Sequence, residues 1–359
     1  MAQTPLKSVI VVGGGIVGLT IAVAAQGAGH SVTLISRDRP EDTASGVAAG
    51  MIAPVLEART DPYDRKTFSA LKAAQAAWLD LIDLWPEHVR ALFRQQEADA
   101  RNIYVWRGEM IEDDSDFFSM RQSRAEELSP QELGASGIAT GLRGIGFKDD
   151  WLVDGLMLLS LLKTSFVTQG GHVHDADVFS VSAHRARLND DTELAADAVI
   201  VAAGYESLSF ADQVTSLTIL QPIKGHLLDL FANGPAGIIR SSEAYLANHG
   251  SSAKFGATME AGRDDTRIDA AQVEGLKERA RTMLPRLDLS QAVPRVGIRA
   301  ASPDGWPMIG RDRASGVLVA TAMRRNGYVF APLAARMMLG FLAGKTPPEA
   351  AAYDPNRFG

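Results

Sequence analysis

The sequence predicts a mixed α/β fold, α+β overall, in which a parallel-sheet domain is interleaved with an antiparallel-sheet domain. Three observations carry this expectation. A strand, a glycine turn and a helix follow one another at the start of the chain. Apolar runs without alternation, typical of strands buried on both faces of a parallel sheet, return at residues 198–202 and 317–320. Between them, residues 217–230, 238–247 and 254–259 read as strands of an antiparallel sheet. A chain of 359 residues exceeds what one core usually supports. Residues 1–60, 150–215 and 290–359 are therefore assigned to the first domain, and 61–149 and 216–289 to the second.

Taken in order, residues 8–12 form the first buried strand, residues 16–26 an alanine-rich helix and residues 31–35 a second strand. The turn between them fits GxGxxG. Gly13 permits a tight turn, Gly15 a close approach of backbone to pyrophosphate, and Gly18 close packing of helix on strand. The helix N-terminus at Ile16 and Val17 then offers N–H groups and a partial positive charge to phosphates. This is a Rossmann-like beginning, and its strand–turn–helix context supports a dinucleotide site. Between residues 61 and 98, Phe68, Leu71, Gln75, Trp78, Ile82 and Trp85 recur at helical spacing and read as a core stripe, with Asp61-Pro62 as a start signal. Residues 104–147 are turn-rich and read as strands of the second sheet. Residues 154–168 read as a helix, and 178–183 with 185–189 as a hairpin turning near Asn189-Asp190-Asp191. Residues 269–284 are amphipathic. A turn at Asn326-Gly327 precedes a helix expected from Pro332 to Leu342.

Composition excludes several functions. A formal net charge of −7 argues against a nucleic-acid surface. The absence of cysteine removes disulfides, thiolate metal sites and any cysteine-tethered cofactor. The seven histidines show no ligand-like cluster beyond His172-Val173-His174, so no metal is expected. No signal-peptide pattern precedes Val9, and the apolar stretch from Val9 to Ala25 is glycine-rich and too short to span a membrane. A cytoplasmic chain with no membrane span is the expectation.

The acidic residue expected about 20 positions after the glycines, for the ribose hydroxyls, is replaced by Ser36, followed by Arg37. On these two residues alone NADP competes with FAD. The rest of the chain favours FAD. A second strand ends in small residues, Ala202, Ala203 and Gly204, suited to another close approach to the cofactor. Thr43, Ala44, Ser45, Ala48, Ala49, Gly50 and Met51 belong to a small-residue run able to wrap a flat ring.

Five segments, GGGIVGLTIA, ASGVAAGMIAP, FGATME, GIRAASPDGWPMIG and RRNGYVFAP, resemble in order those of the D-amino-acid-oxidase superfamily, nearest to its glycine oxidase branch. The resemblance spans nearly the whole chain. It implies non-covalent FAD held by the residues above and by Val178, Arg299, Asn326, Gly327, Tyr328 and Val329. It implies that Arg299, with Arg325 and Tyr245, holds a substrate carboxylate, and that Met51 lies on the flavin side of the substrate. The implied reaction is oxidation of a small glycine-type amine (glycine, sarcosine or another N-substituted glycine) by hydride transfer from Cα, with oxygen as acceptor. A homo-oligomer is implied as well. Departures at Asn248-His249, Met323-Arg324 and Lys224-Gly225-His226 put the substrate in question. A dicarboxylic secondary amine such as iminodiacetate, a dehydrogenase of the same fold and a non-catalytic flavin-binding partner protein stay open.

With no cysteine to tether it, the flavin is expected to leave the polypeptide on denaturation. Acid precipitation of the purified protein should put all the yellow colour in the supernatant; colour in the pellet would count against non-covalent binding.

Overall fold

The computed structural model describes residues 6–60, 65–99, 101–108, 125–231 and 236–359. Its first sheet has six strands, in the order Met308–Arg311, Leu318–Thr321, Ala198–Val201, Ser8–Val12, Ser31–Ile35, His172–His174. All neighbours are parallel except the first pair. The central strands are apolar on both faces because helices cover one side and the small sheet of residues 178–195 packs near the other. Helices Ile16–Gly27 and Gly327–Leu342 lie against one another, and Arg65–Asp80 packs on the second of them.

The second sheet runs Glu260–Ala261, Gln221–Phe231, Ser252–Gly256, Tyr245–Asn248, Gly237–Arg240, Asn102–Arg107, Leu142–Phe147, Glu126–Glu127, with Val293–Ala301 also paired to Gln221–Phe231. It is antiparallel throughout save for one parallel pair, Gly237–Arg240 with Asn102–Arg107. The pairing of Val293–Ala301 extends over nine residues, from Gln221↔Ala301 to Asp229↔Val293. The strand ends at the first sheet's side, where Ala301 bridges Met323. It therefore carries side chains from one sheet to the edge of the other.

Several boundaries differ from the sequence reading, each for a local reason. The stripe of residues 68–85 is core, as its spacing predicts, with Leu71, Gln75, Trp78 and Trp85 buried. It is broken into Arg65–Asp80, the 3-10 turn Ile82–Leu84 and Glu87–Asp99, because Pro86 cannot continue a helix. Asp61-Pro62 lies outside the described residues. The turn at Asn189 to Asp191 joins Arg185–Leu188 to Glu193–Ala195, a third strand, rather than closing the first hairpin. Residues 238–247 make two strands, since the Ser241 hydroxyl accepts the N–H groups of Glu243 and Ala244 and turns the chain.

The last helix begins at Gly327, not Pro332, and carries Pro332 in its second turn. Proline there cannot bond the carbonyl of Tyr328. The indole Nε1 of buried Trp78 donates to that carbonyl at 2.9 Å instead, so the helix continues through the proline with no orphaned acceptor. Trp78 also stacks on Phe93 at 4.3 Å between ring centroids. Its carbonyl accepts the Trp85 indole N–H at 2.8 Å.

Trp78→Phe keeps most of the apolar contact and strands the Tyr328 carbonyl. It is expected to destabilise the fold by about 1–3 kcal/mol, the cost of one unsatisfied buried acceptor, read as a lower urea midpoint at unchanged slope.

Candidate active site

The strands Ser8–Val12 and Ala198–Val201 end side by side, and the chain between strand and helix must pass within van der Waals reach of their ends. Gly13 has φ +114°. A Cβ there would lie 2.5 Å from the carbonyl oxygen of Ala202, and one on Gly14 would lie 2.4 Å from Ser36 Oγ. The N-cap residue of helix Ile16–Gly27 is Gly15, which offers no side chain to the helix end. Thr43 caps the short helix Ala44–Val47, accepting the Gly46 N–H at 3.0 Å, and Ser45 Oγ accepts the Ile16 N–H at 3.0 Å.

These contacts shape one continuous groove. It is lined by Gly13, Gly15, Ile16, Val17, Ser36, Arg37, Thr43, Ala44, Ser45, Ala48, Val178, Ala203, Gly204, Arg299, Gly327 and Tyr328, all expected at the cofactor. Ala49, Gly50 and Met51 line an adjoining cavity instead. Three expected residues are on neither wall. Gly18 serves packing, since a Cβ there would lie 1.9 Å from the Gly13 carbonyl oxygen. Val329 points into the core, and Asn326 is the N-cap of the last helix. A groove whose floor would be filled by a Cβ at Gly13 or Gly14, ending on a helix N-terminus whose N-cap residue has no side chain, fits a dinucleotide.

Arg37 pairs with Asp38 at 3.1 Å, Asp177 at 2.9 Å and Glu206 at 3.4 Å. Its charge is met by three carboxylates, so it is not left to bind an extra phosphate as NADP would require. Asp38, Asp177 and Glu206 also line the groove, so acidic groups stand near Ser36 although Ser36 itself is not one.

The adjoining cavity encloses about 160 Å³. It meets the groove at Ala44, Ala48, Gly297, Arg299, Arg325 and Tyr328, which stand on both walls. Arg299 comes from the crossing strand Val293–Ala301, and Tyr245 from Tyr245–Asn248. The Arg299 guanidinium lies on the bare backbone of Gly225, where a Cβ would come within 2.2 Å of Nη1. It donates to the Thr258 carbonyl at 3.2 Å and forms no ion pair among the described residues. Burial and the nearby Arg325 lower the pKa of Arg299, against the pull of Tyr245; an arginine stays cationic regardless. Burial raises the pKa of Tyr245, keeping its hydroxyl protonated.

Sequence reasoning missed Glu57 and Arg240, which line the same cavity. Glu57 lies on helix Pro54–Thr60, whose first N–H groups, of Val55 and Leu56, are each accepted by buried Asp150 at 2.9 Å. The Arg240 Nη1 donates to Glu57 Oε1 at 2.7 Å, and Arg325 Nε donates to Oε2. Burial alone would raise the Glu57 pKa, but Arg325 and Arg240 outweigh it and hold the group at about 2. A lone glutamate within the apolar run of residues 51–58 was the available signal. The residues flagged as departures are mostly elsewhere. His226 is fully buried, bonded to Thr258 and Asp269, and is on neither wall. His249 is on neither wall, and its pKa is lowered by burial. Arg324 lines the groove rather than the cavity, at a left-handed φ of +51°.

A family model described as FAD-dependent oxidoreductase (DAO) matches residues 8–339. The chain belongs to this family. FAD is therefore its cofactor, a dinucleotide of the kind the groove fits, and the protein is an FAD-dependent oxidoreductase. Over 354 residues the chain is 25% identical to a glycine oxidase of Geobacillus kaustophilus, covering 92% of this chain and 91% of that protein. It is 28% identical over 335 residues to the tRNA 5-methylaminomethyl-2-thiouridine biosynthesis bifunctional protein MnmC of Chromohalobacter salexigens. That match takes in 85% of this chain but spans only 46% of the MnmC protein. The fold is that of iminodiacetate oxidase from Chelativorans sp. BNC1, with a TM-score of 0.78 at 20% identity over 97% of this chain and 98% of the other. Among the described residues no helix is long and apolar enough to cross a membrane.

Glu57 ordinarily titrates at 4.5 and is held at about 2 here. Its depressed pKa contributes stability that is fully present above about pH 4.5 and lost as the pH falls toward 2. Glu57→Gln is expected to cost about 3 kcal/mol at neutral pH. In urea unfolding at stepped pH, the gap to the wild type should close across that acid window; a gap independent of pH would show that the charge is not what matters.

Proposed function

We propose that this oxidoreductase oxidises the C–N bond of a small amine that carries a carboxylate, of the glycine or N-substituted glycine type. The observation that carries this reading is Arg299. Its guanidinium stands on the wall shared by groove and cavity, spends one N–H on the Thr258 carbonyl, and meets no carboxylate among the described residues. A guanidinium placed so offers two parallel charge-assisted bonds to a substrate carboxylate and fixes its orientation. Similarity to glycine oxidase points to the same class.

When bound, FAD would supply a two-electron acceptor for a hydride from the carbon next to the amine nitrogen. The protein's part is placement. Arg299 anchors the carboxylate, and the Tyr245 hydroxyl, beside Gly256 and held protonated, gives a further donor on the cavity wall. Met51, Ala49 and Gly50 add apolar surface to the cavity lining. Such positioning of reacting atoms is worth several kcal/mol of the barrier. No nucleophile is required. The imine produced is hydrolysed by water to an oxo acid and an amine, and molecular oxygen takes the electrons to give hydrogen peroxide.

A second reading involves Arg240. This second guanidinium lines the same cavity as Arg299, and an acid group on the nitrogen substituent, as in iminodiacetate, would share it with Glu57. Arg240 and Arg325 share Glu57, so that subsite is held in place before a substrate arrives.

Anaerobic titration with glycine, sarcosine and iminodiacetate, following the flavin absorbance, tests both readings. Bleaching by one of them is expected, and preference for iminodiacetate that Arg240→Met abolishes would select the second reading. Arg299→Met should raise the concentration needed by on the order of 100-fold. A spectrum left oxidised by all three amines would sink the proposal. Bleaching without peroxide under air would make the chain a dehydrogenase.

A further inference from the structure

Two basic side chains that the site leaves unused, Lys224 and His226, lie fully buried at alternate positions of strand Gln221–Phe231. Burying an ammonium group costs several kcal/mol unless it is well paired, so its partner is informative. Lys224 Nζ donates to Asp265 Oδ1 at 2.7 Å. His226 Nε2 accepts the Asp269 N–H at 3.0 Å, which leaves Nδ1 to donate toward Glu260 Oε1 at 3.0 Å. All three partners lie on one stretch of chain. It runs from the short strand Glu260–Ala261 to helix Ala270–Met283 without regular structure over residues 263–269. Asp265 is gripped from within this stretch too. Arg263 donates to Oδ2 through Nε at 2.9 Å and Nη2 at 2.8 Å, and the Arg267 N–H reaches Oδ1 at 3.2 Å. Lys224 first, and Arg263 after it, hold the Asp265 carboxyl well below the usual carboxylate range.

The same stretch reaches the cofactor groove. Thr266 is part of the groove wall, together with Tyr205 and Glu206. Tyr205 lies in the 3-10 turn Gly204–Phe210 that comes after the strand Ala198–Val201 of the other sheet, and its hydroxyl meets Asp264 Oδ2 at 3.5 Å. An irregular segment thus spans from the substrate-side sheet to the opposite wall of the groove, and its middle is pinned by a lysine on neither wall.

We infer that residues 262–269 form a strap that closes the groove over FAD, and that the buried Lys224–Asp265 pair is the latch that holds the strap shut. Retention of the cofactor then depends on a residue that does not touch it. The inference rests on FAD binding and is independent of which amine is oxidised.

Asp265→Asn keeps the size of the latch and removes its charge, and Lys224→Met removes the other half. Holoenzymes of both variants are expected to release FAD at least ten times faster than the wild type, followed as the fluorescence of freed flavin. Asp265→Asn strands the buried Lys224 ammonium and should lower the Tm of both forms, that of the holoenzyme by more than that of the apoenzyme. Trypsin, cutting after Arg263 and Arg267, should be slowed by FAD in the wild type and not in Asp265→Asn. Release rates within twofold of the wild type, equal Tm losses with and without FAD, or wild-type cleavage indifferent to FAD would each overturn the strap.

Discussion

The site depends on one buried carboxylate. Glu57 is held between Arg240 and Arg325, and the three come from distant parts of the chain. Glu57 lies on the helix after the small-residue loop, Arg240 ends a strand of the large sheet, and Arg325 precedes the last helix of the six-stranded side. A carboxylate buried alone would take up a proton. Two guanidinium groups keep it ionised, and in turn it keeps them from turning to water. Removing any one member leaves a buried charge with less compensation, which is the costly case for buried ion pairs. The arrangement ties both sheets to the cavity wall, so the geometry of the cavity is a property of the whole fold.

Its support is equally remote. Helix Pro54–Thr60 owes its position to Asp150, which accepts the first two free N–H groups from a point far along the chain. Burial pushes the Asp150 pKa up, to about 7, against the pull of those two N–H bonds. Asn102 in turn donates to the Asp150 carbonyl at 2.9 Å. The chain of contacts runs from a strand of the large sheet, through a buried acid, to the helix that carries Glu57. Lys254 makes a parallel link, donating to the carbonyls of Gly46 and Val47 and to Asp229, so the loop at the junction of groove and cavity is fastened to the large sheet.

What the sequence made legible follows from how local each signal is. The glycine turn, the apolar strands and the helix at residues 154–168 need only a few consecutive residues to be recognised, and the structure has them. Arg299 and Tyr245, which the family resemblance names, both line the cavity. Glu57 and Arg240 were not legible, because each is an ordinary charged residue until a partner about 180 positions away is known. The start of the last helix was misjudged for a similar reason. Pro332 signals a helix start by local rules, and only the indole of Trp78, from another element, lets the helix pass through it. The turn at residues 241–244 was hidden by continuous strand-like residues on either side, with the Ser241 hydroxyl as its one local cue.

The contrast between Arg299 and Arg325 bears on how, under the proposed function, an acidic protein would favour an anionic substrate. Net charge acts over a Debye length, about 8 Å at physiological ionic strength, whereas the cavity wall acts at hydrogen-bond distance. Arg325 shares Glu57 with Arg240, so this pair of cations is balanced in part by the protein itself. Arg299 has a carbonyl for a partner, which accepts a hydrogen bond without cancelling a charge. A carboxylate entering the cavity therefore gains most at Arg299, where it supplies the counter-charge that the fold withholds. At Arg325 it would compete with Glu57. Under that proposal one arginine would bind and the other hold the wall, although both carry the same side chain and meet the same cavity.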